Sequence, residues 1–186
     1  VETDWLAKPL RNAFSQSHSL SIDGGDERAK YNLGVRYGKD SGVMKGSDRT
    51  RLSTNFRLSY NVSGKFFVSN SSTITSVTNN ESPYGDFSDW VKMNPYENPY
   101  DADGKLRSSL YHDISNPLYD ASLGSYNKTN TLDFLNTTSL QLWFGDKVRL
   151  DGDFTIDRSK QDRRIFTSPF SYYEISNKAA DQRGSL

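Results

Sequence analysis

Two histidines, His18 and His112, carry the side chains best suited to acid–base chemistry, because an imidazole titrates near neutral pH. They stand far apart in the sequence, and no serine-nucleophile motif, phosphate-binding glycine loop or zinc-binding HExxH pattern accompanies either of them. The chain has no cysteine, which excludes a thiol nucleophile, a cysteine metal site and a disulfide scaffold. The sequence therefore predicts no catalytic residue, no bound metal and no cofactor.

The run DADG, Asp101–Gly104, begins like a calcium-binding loop. Such a loop ends in a glutamate ligand, and His112 stands at that position here. The run therefore predicts a turn and no metal site.

Asp151, Asp153 and Asp157 occupy alternate positions and predict one charged face of a strand. This face is either a patch in a watery interior or an ordinary solvated surface, with Arg149 and Arg158 as ion-pair partners. Both interpretations remain open at the level of the sequence.

Aromatic side chains are frequent between residues 78 and 130. Exposed aromatic rings stack on sugars and anchor protein interfaces. The residues predicted to contact a ligand or a partner protein are Tyr84, Trp90, Tyr96, Tyr100 and Tyr111. The alternative is that these rings pack a small core inside the segment itself.

The composition predicts strands and turns rather than helices. The mean hydropathy is −0.76, and aromatic residues make up 13% of the chain. The length of 186 residues suits one ordinary domain. Its 23 basic and 23 acidic residues balance, so no net charge favours a nucleic-acid partner. No run approaches the roughly 18 apolar residues of a membrane-spanning helix.

Six segments show the period of two that predicts β-strands. In the third, Phe56 and Leu58 alternate with Asn55 and Arg57, so one face is apolar and the other polar. The strands are about 9–14 residues long, and the connections between them are alternately short and long. Tight turns on one side and long loops on the other are typical of a transmembrane β-barrel. The predicted fold class is therefore all-β, an antiparallel meander of about six long strands that forms part of such a barrel.

The pattern divides the chain into successive segments. Residues 17–78 hold barrel strands 1–4, residues 79–130 form a long extracellular loop, and residues 131–158 hold strands 5–6. Residues 159–186 belong to another extracellular loop, and residues 1–16 precede the first strand. Aromatic residues near the short turns predict an interfacial girdle; they are Tyr60, Phe66, Phe67, Trp143 and Phe144.

Six strands are too few to close a membrane barrel, so the sequence predicts that this chain is a fragment. The smallest membrane barrels have about eight strands, and an open sheet would expose two edges and an apolar face. The first residue, Val1, is not Met, which fits a piece of a longer chain or a processed mature protein. A soluble antiparallel sandwich explains the alternation equally well, although it does not explain the sorted connections or the strand length.

Short motifs follow one another in order along the chain. They are Thr3-Asp4-Trp5, Phe14, Gln16, His18, Leu20-Ser21-Ile22, Gly24-Gly25, Tyr31, Gly42, Lys45-Gly46-Ser47 and Arg51. NPYENPYDADGK follows at residues 94–105, and RGSL ends the chain. This series resembles the SusC/RagA type of TonB-linked outer-membrane proteins, most clearly over residues 3–62 and 94–105. Ser17 departs from the asparagine usual in that family.

The resemblance implies a barrel of about 22 strands with a plug inside, in the bacterial outer membrane. It implies import of glycans or other oligomeric nutrients such as peptides, driven by the TonB–ExbB–ExbD system through the plug, with a SusD-like surface lipoprotein as a lid. Residues 1–16 would be the end of the plug. The five aromatic residues would contact the substrate or the lid, and the outer-membrane lipid would surround the apolar face. The chain would be no enzyme and would bind no nucleic acid.

Two other functions remain open. A soluble all-β carbohydrate-binding module would use the same loop aromatics. An all-β glycoside hydrolase would need two carboxylates facing each other across a cleft, which spacing alone cannot establish.

Overall fold

The computed structural model describes residues 2–184, so Val1, Ser185 and Leu186, and with them the end of the RGSL motif, lie outside the described residues. Six strands dominate: β1 (Ser15–Gly25), β2 (Ala29–Ser41), β3 (Asp48–Ser63), β4 (Phe66–Asn80), β5 (Tyr126–Phe144) and β6 (Val148–Phe166). Three short α-helices lie outside the sheet: α1 (Phe87–Val91), α2 (Pro117–Ser122) and α3 (Tyr172–Asn177). Single 3₁₀ turns occupy Tyr111–Asp113 and Ala180–Gln182.

The strands form one sheet in the order β1-β2-β3-β4-β5-β6, and each strand pairs antiparallel with the next. This is the all-β meander of six long strands that the sequence predicts. Within residues 2–184 the two outer strands, β1 and β6, do not pair with each other, so the sheet is open.

Several strands are longer than the sequence pattern predicts. β5 begins at Tyr126 rather than residue 131, and β6 ends at Phe166 rather than residue 158. Most of the added part of β6, SKQDRR at residues 159–164, is polar on both faces and shows no apolar alternation, but β5 supplies a continuous antiparallel partner for it. The long connection therefore spans residues 81–125 instead of 79–130, and the final non-strand segment begins at residue 167.

The connection between β2 and β3 is also shorter than predicted. The glycines and charges of the run from Gly38 to Arg49 predict a loop over those residues, yet β2 continues to Ser41 and β3 starts at Asp48. The three remaining links between adjacent strands are tight turns, and they lie together at the opposite end of the sheet.

The register places the apolar side chains of neighbouring strands on one face. Leu33 stands opposite Phe56, and Val68 stands opposite Leu140. Residues on this face are strongly exposed; Leu20 and Phe154 each keep 63% of their surface accessible. The other face is polar, so the sheet has one wet face and one unusually exposed apolar face.

The predicted aromatic girdle is only partly correct. Tyr60, Phe66 and Phe144 lie on the apolar face, but Phe67 and Trp143 point to the polar face because they alternate with their neighbours along the strand. The guanidinium of Arg149 lies 5.5 Å from the ring centre of Trp143, which gives that ring a cationic partner on the wet side.

A closed amide network interrupts the apolar face. Asn70 Nδ2 donates to Asn136 Oδ1 at 3.2 Å, and Asn136 Nδ2 donates back to Asn70 Oδ1 at 3.1 Å. Ser72 and Thr138 supply the remaining partners of the two amides. Since the polar atoms satisfy one another, the pair can lie among apolar neighbours at little desolvation cost.

No helix within residues 2–184 combines the length and the hydropathy needed to cross a membrane.

Candidate functional site

The segment 81–125, called here the long loop, folds around a small aromatic core. Trp90 on α1 is 1% exposed, and its ring centre lies 6.2 Å from that of Trp5 and 5.9 Å from that of Tyr84. Leu110 completes the buried cluster. The core of this chain therefore lies at the loop end of the sheet and not between sheet layers.

The N-terminal segment, residues 2–14, is tied to the long loop by backbone and side-chain hydrogen bonds. Trp5 Nε1 donates to the Asn94 carbonyl at 2.9 Å, and the Thr3 N–H donates to the Pro95 carbonyl at 2.7 Å. The β2–β3 connection joins the same assembly, since Lys45 Nζ donates to the Lys8 carbonyl at 2.7 Å. The chain thus enters β1 from the end of the sheet that carries the long loop.

Asn116, at the N-cap of α2, is fully buried and holds three stretches of the long loop together. Its Nδ2 donates to the carbonyls of Pro99 and Arg107 at 3.0 and 2.8 Å. Its Oδ1 accepts from the Leu118 N–H at 3.1 Å. One side chain therefore links backbone groups from three stretches of the loop, and the Pro99 carbonyl also accepts from the Arg107 N–H at 3.0 Å.

The segment after β6, residues 167–184, packs on the long loop. The Ser168 N–H donates to Ser125 Oγ at 3.0 Å, and the Tyr172 N–H donates to Asp120 Oδ1 at 2.9 Å. Tyr172 Oη also donates to the Asp113 carbonyl. These contacts join the long loop and residues 167–184 into a single folded unit, called here the cap.

Glu174 on α3 is the buried carboxylate of this cap, 3% exposed. Lys178 Nζ donates to Glu174 Oε1 and the Gly184 N–H donates to Oε2, both at 2.8 Å. These two donors, Lys178 first, hold the pKa of Glu174 below its usual range.

We expect this carboxylate to make the 167–184 segment acid-sensitive. Because the folded pKa of Glu174 is depressed, its stabilisation is fully present above the ordinary glutamate pKa and is lost as the pH falls below that pKa and through the folded value. Hydrogen exchange of residues 167–184 should accelerate in that range. Glu174→Gln should remove the acid dependence, whereas the exposed Asp181→Asn should keep it; equal acid responses of Glu174→Gln and the parent would contradict the assignment.

The structure separates the five predicted contact residues into two groups. Trp90 is buried and Tyr84 packs against it, so these two rings stabilise the loop and Trp90 offers no surface to a ligand. Tyr96 and Tyr111 are 80% and 70% exposed, and Tyr100 is 39% exposed. Glu97, which follows Tyr96 in the sequence, accepts from the Tyr111 N–H through its Oε2 at 3.4 Å.

Two exposed aromatic residues were missed by the sequence reasoning. Phe170 and Tyr173, in the 167–184 segment, are 64% and 63% exposed. The run SPFSYYE was a usable signal, because it concentrates aromatic residues in a short polar segment. The exposed aromatic surface therefore extends over both parts of the cap.

The structure also places Asp101 and the two histidines. Asp101 Oδ1 accepts from the N–H groups of Asp103 and Lys105, which gives the predicted turn. Within residues 2–184 no three His, Asp or Glu side chains come together in a metal-binding group. His112 has a positive φ of 59°, and His18 lies on β1 opposite Tyr37.

The carboxylates of β6 share the polar face as predicted. Asp151 accepts from Arg149 at 2.8 Å and from Gln141 at 3.0 Å. The prediction of Arg158 as a second ion-pair partner is wrong. Arg158 stands opposite Phe134 in the register of β5 and β6, so it lies on the other face of the sheet.

The fold and the surface together define the class of structure: an open antiparallel sheet with one apolar face, one charged face and a folded cap at one end. No family model matches the chain. It is 24% identical over 201 residues to the TonB-dependent receptor SusC of Bacteroides thetaiotaomicron, an alignment that covers 92% of this chain and 20% of SusC.

Solved structures of the RagAB importer have the same fold over most of the chain. The closed-closed state of the RagAB peptide importer matches with a TM-score of 0.73 at 15% identity, covering 93% of this chain and 20% of that one. The open-open state matches at 0.74 and 16% identity, covering 90% and 20%. A further structure of the RagAB peptide transporter matches at 0.75 and 16%, covering 91% and 20%.

These similarities confirm the resemblance to SusC/RagA-type proteins and the fold class predicted from the sequence. The chain spans about one fifth of the length of each of these relatives.

Proposed function

We propose that this chain is part of the wall of a TonB-dependent transporter in the bacterial outer membrane. The observation that carries the proposal is that the two faces of the sheet differ in polarity and its two ends differ in the length of their connections. Apolar side chains take one face, and the tight turns take one end while the folded cap takes the other. A soluble sheet would bury its apolar face, whereas a membrane barrel presents that face to lipid.

The remaining parts of the transporter follow from the resemblance. The strands belong to a barrel of about 22, closed by strands outside this chain, with the tight turns facing the periplasm. Residues 1–16 are the end of the plug, and residues 17–78 and 131–158, with the longer limits described above, form the barrel wall. TonB, ExbB and ExbD supply energy through the plug, and a SusD-like lipoprotein covers the outer opening. The segment itself catalyses no reaction.

The cargo is an oligomeric nutrient, an oligosaccharide or a peptide, that meets the cap before it enters. Tyr96, Tyr100 and Tyr111 supply exposed rings for stacking on sugars or for packing against peptide side chains or the lid. Tyr84 and Trp90 act indirectly, by holding the long loop in shape. The RagAB structures that share the fold over most of this length are described as those of a peptide importer, which favours peptides as the first cargo to test.

Membrane insertion gives the test of this proposal. Leu140 lies on the apolar face between Val68 and Gly152, so Leu140→Arg would place a charge in lipid at a cost of about 2–4 kcal/mol. We expect this variant to reduce the amount of protein recovered in the outer membrane severalfold.

The neighbouring residue provides the matched control. Ser139 lies on the polar face between Ser69 and Asp153, so Ser139→Arg adds the same charge on the wet side. Normal insertion of Ser139→Arg with impaired Leu140→Arg supports the wall assignment. Equal insertion of the two variants would contradict it.

The exposed rings give a second test. Tyr96→Ala with Tyr111→Ala should weaken capture of labelled peptides or oligosaccharides, or co-purification of the lid lipoprotein, by about tenfold, with surface level unchanged. Phenylalanine at both positions keeps the rings and should retain most of the binding. If the alanine variant captures the labelled ligands and co-purifies with the lid lipoprotein as the parent does, these tyrosines do not contribute to the site.

A soluble carbohydrate-binding module is the second candidate, favoured by the exposed Tyr96 and Tyr111. It predicts a monomer that stays in solution without detergent. The wall assignment predicts aggregation under those conditions, because the apolar face has no partner.

A further inference from the structure

The apolar face of the sheet carries charged residues only at the end that bears the cap. Toward the tight turns, every strand residue on this face is uncharged, as Tyr60, Val68, Leu142 and Leu150 illustrate. The charged residues lie in the row of Phe134 and Arg158 or beyond it toward the cap. They are Lys39, Asp48, Lys128, Arg158, Lys160, Asp162 and Arg164.

Four of these residues lie together on β5 and β6 and are called here the cationic margin: Lys128, Arg158, Lys160 and Arg164. Their side chains are exposed. Lys128 stands directly opposite Arg164, and like charges in that position destabilise an antiparallel pair. In the part of the chain that the structure describes, only Lys160 has an acidic partner, at 3.4 Å from Asp162 Oδ2. The margin therefore keeps an excess of positive charge that an external anion would relieve.

The margin begins at the height where the hydrocarbon of a membrane would end. β6 starts at Val148 beside a tight turn, and Arg158 follows ten residues later. With a rise of about 3.3 Å per residue and a tilt of about 45°, this part of the strand climbs about 23 Å. The apolar band of a membrane barrel is about 25 Å tall, so Arg158 and Lys160 lie where the headgroups begin. Arg164, and Lys128 opposite it, lie about 14 Å beyond Arg158.

We propose that the cationic margin binds the phosphate groups of anionic lipid in the outer leaflet of the membrane. A lipid whose acyl chains cover Phe154 and Ile156 carries its headgroup directly to Arg158 and Lys160, which lie next along the same face. Arginine pairs with phosphate through two parallel hydrogen bonds, and the long stems of both residue types let their charges reach outward. The inference rests on the proposed function, in which lipid surrounds the apolar face and the cap lies outside the cell.

A zwitterionic lipid would not relieve the excess charge of the margin, because its headgroup brings a cation with each phosphate. The tight-turn end of the same face offers no cation on a strand, so the preference for anionic lipid is confined to one leaflet.

Native mass spectrometry tests the proposal on the full-length protein extracted from the outer membrane into detergent. The two probes are lipid A, a phosphorylated glycolipid, and the same lipid without its phosphates, which keeps the acyl chains. We expect the parent to retain lipid A at least fivefold better than the dephosphorylated form. Arg158→Gln with Arg164→Gln should lower retention of lipid A by about fivefold or more. Lysine at both positions keeps the charge and should preserve most of the retention.

Arg149→Gln with Arg163→Gln is the matched control, because it removes two arginines from the polar face of the same strand. This variant should retain lipid A as the parent does. Equal retention of the two lipids by the parent would overturn the lipid-binding proposal, and this comparison needs no variant to fold. Equal retention of lipid A by the two glutamine variants would also overturn it.

The same samples separate this inference from the proposed function. Protein that is recovered from the outer membrane but does not distinguish the two lipids leaves the wall assignment standing. Absence of the parent from the outer membrane would contradict the wall assignment itself.

Discussion

Trp90→Ala should unfold the long loop locally while the sheet remains intact. The ring is 1% exposed and packs between Trp5 and Tyr84, and its Nε1 donates to the Tyr84 carbonyl at 2.8 Å. Replacing a buried tryptophan with alanine costs about 3–5 kcal/mol, through lost burial and the cavity that remains. Because the core of the loop contains few other buried residues, the loss should fall on residues 81–125 and on the N-terminal segment bound to them.

Hydrogen–deuterium exchange of the purified protein measures this effect. Peptides from the long loop should exchange about a hundredfold faster in Trp90→Ala, while peptides from β3 and β4 keep their protection. Tyr96→Ala is the control, since that ring is 80% exposed and its removal should leave exchange unchanged. Equal protection of the loop in Trp90→Ala and the parent would show that this cluster does not hold the loop.

Asn116→Ala should have the second large effect. The substitution leaves the carbonyls of Pro99 and Arg107 and the Leu118 N–H without their side-chain partner in a site where Asn116 itself is fully buried. A buried hydrogen-bonding group that loses its partner costs about 1–3 kcal/mol. We expect a loss within that range, because the Pro99 carbonyl still accepts from the Arg107 N–H. The loss of the N-cap interaction of α2 is part of this effect.

Limited proteolysis is a direct measure, because residues 99–118 should become cleavable in Asn116→Ala. Asn98→Ala is the matched control: Asn98 is exposed and accepts only from the Tyr100 N–H, at 3.1 Å. If both variants resist the protease equally, Asn116 does not join the three stretches as described.

The sheet could be predicted from the sequence because its signal is local. Alternation of Phe56 and Leu58 with Asn55 and Arg57 is enough to define a two-faced strand, and tight turns set the antiparallel order. The end of β6 could not be predicted in this way. Its residues 159–164 are polar on both faces, and only pairing with the distant beginning of β5 makes them a strand.

The cap could be predicted only in part, because its contacts are distant in sequence. Trp5 and Trp90 meet across more than eighty residues, and no periodic pattern links them. Exposure also depends on these contacts: Trp90 and Tyr96 are similar as sequence candidates, yet one is buried and the other exposed. Which aromatic residues remain exposed to a ligand therefore depends on the tertiary structure of the loop and not on its sequence pattern.

Single-cysteine labelling tests the central claim most directly, and the absence of native cysteine in this chain makes it clean. In intact cells that produce the full-length protein without other cysteines, a membrane-impermeant maleimide should label Tyr96→Cys and Tyr111→Cys in the cap. Arg28→Cys and Asp146→Cys, in or beside the tight turns, should be labelled only after the outer membrane is permeabilised. That result places the two ends of the sheet on opposite sides of the membrane. Labelling of the turn positions in intact cells, or recovery of all four variants as soluble protein, would contradict the account.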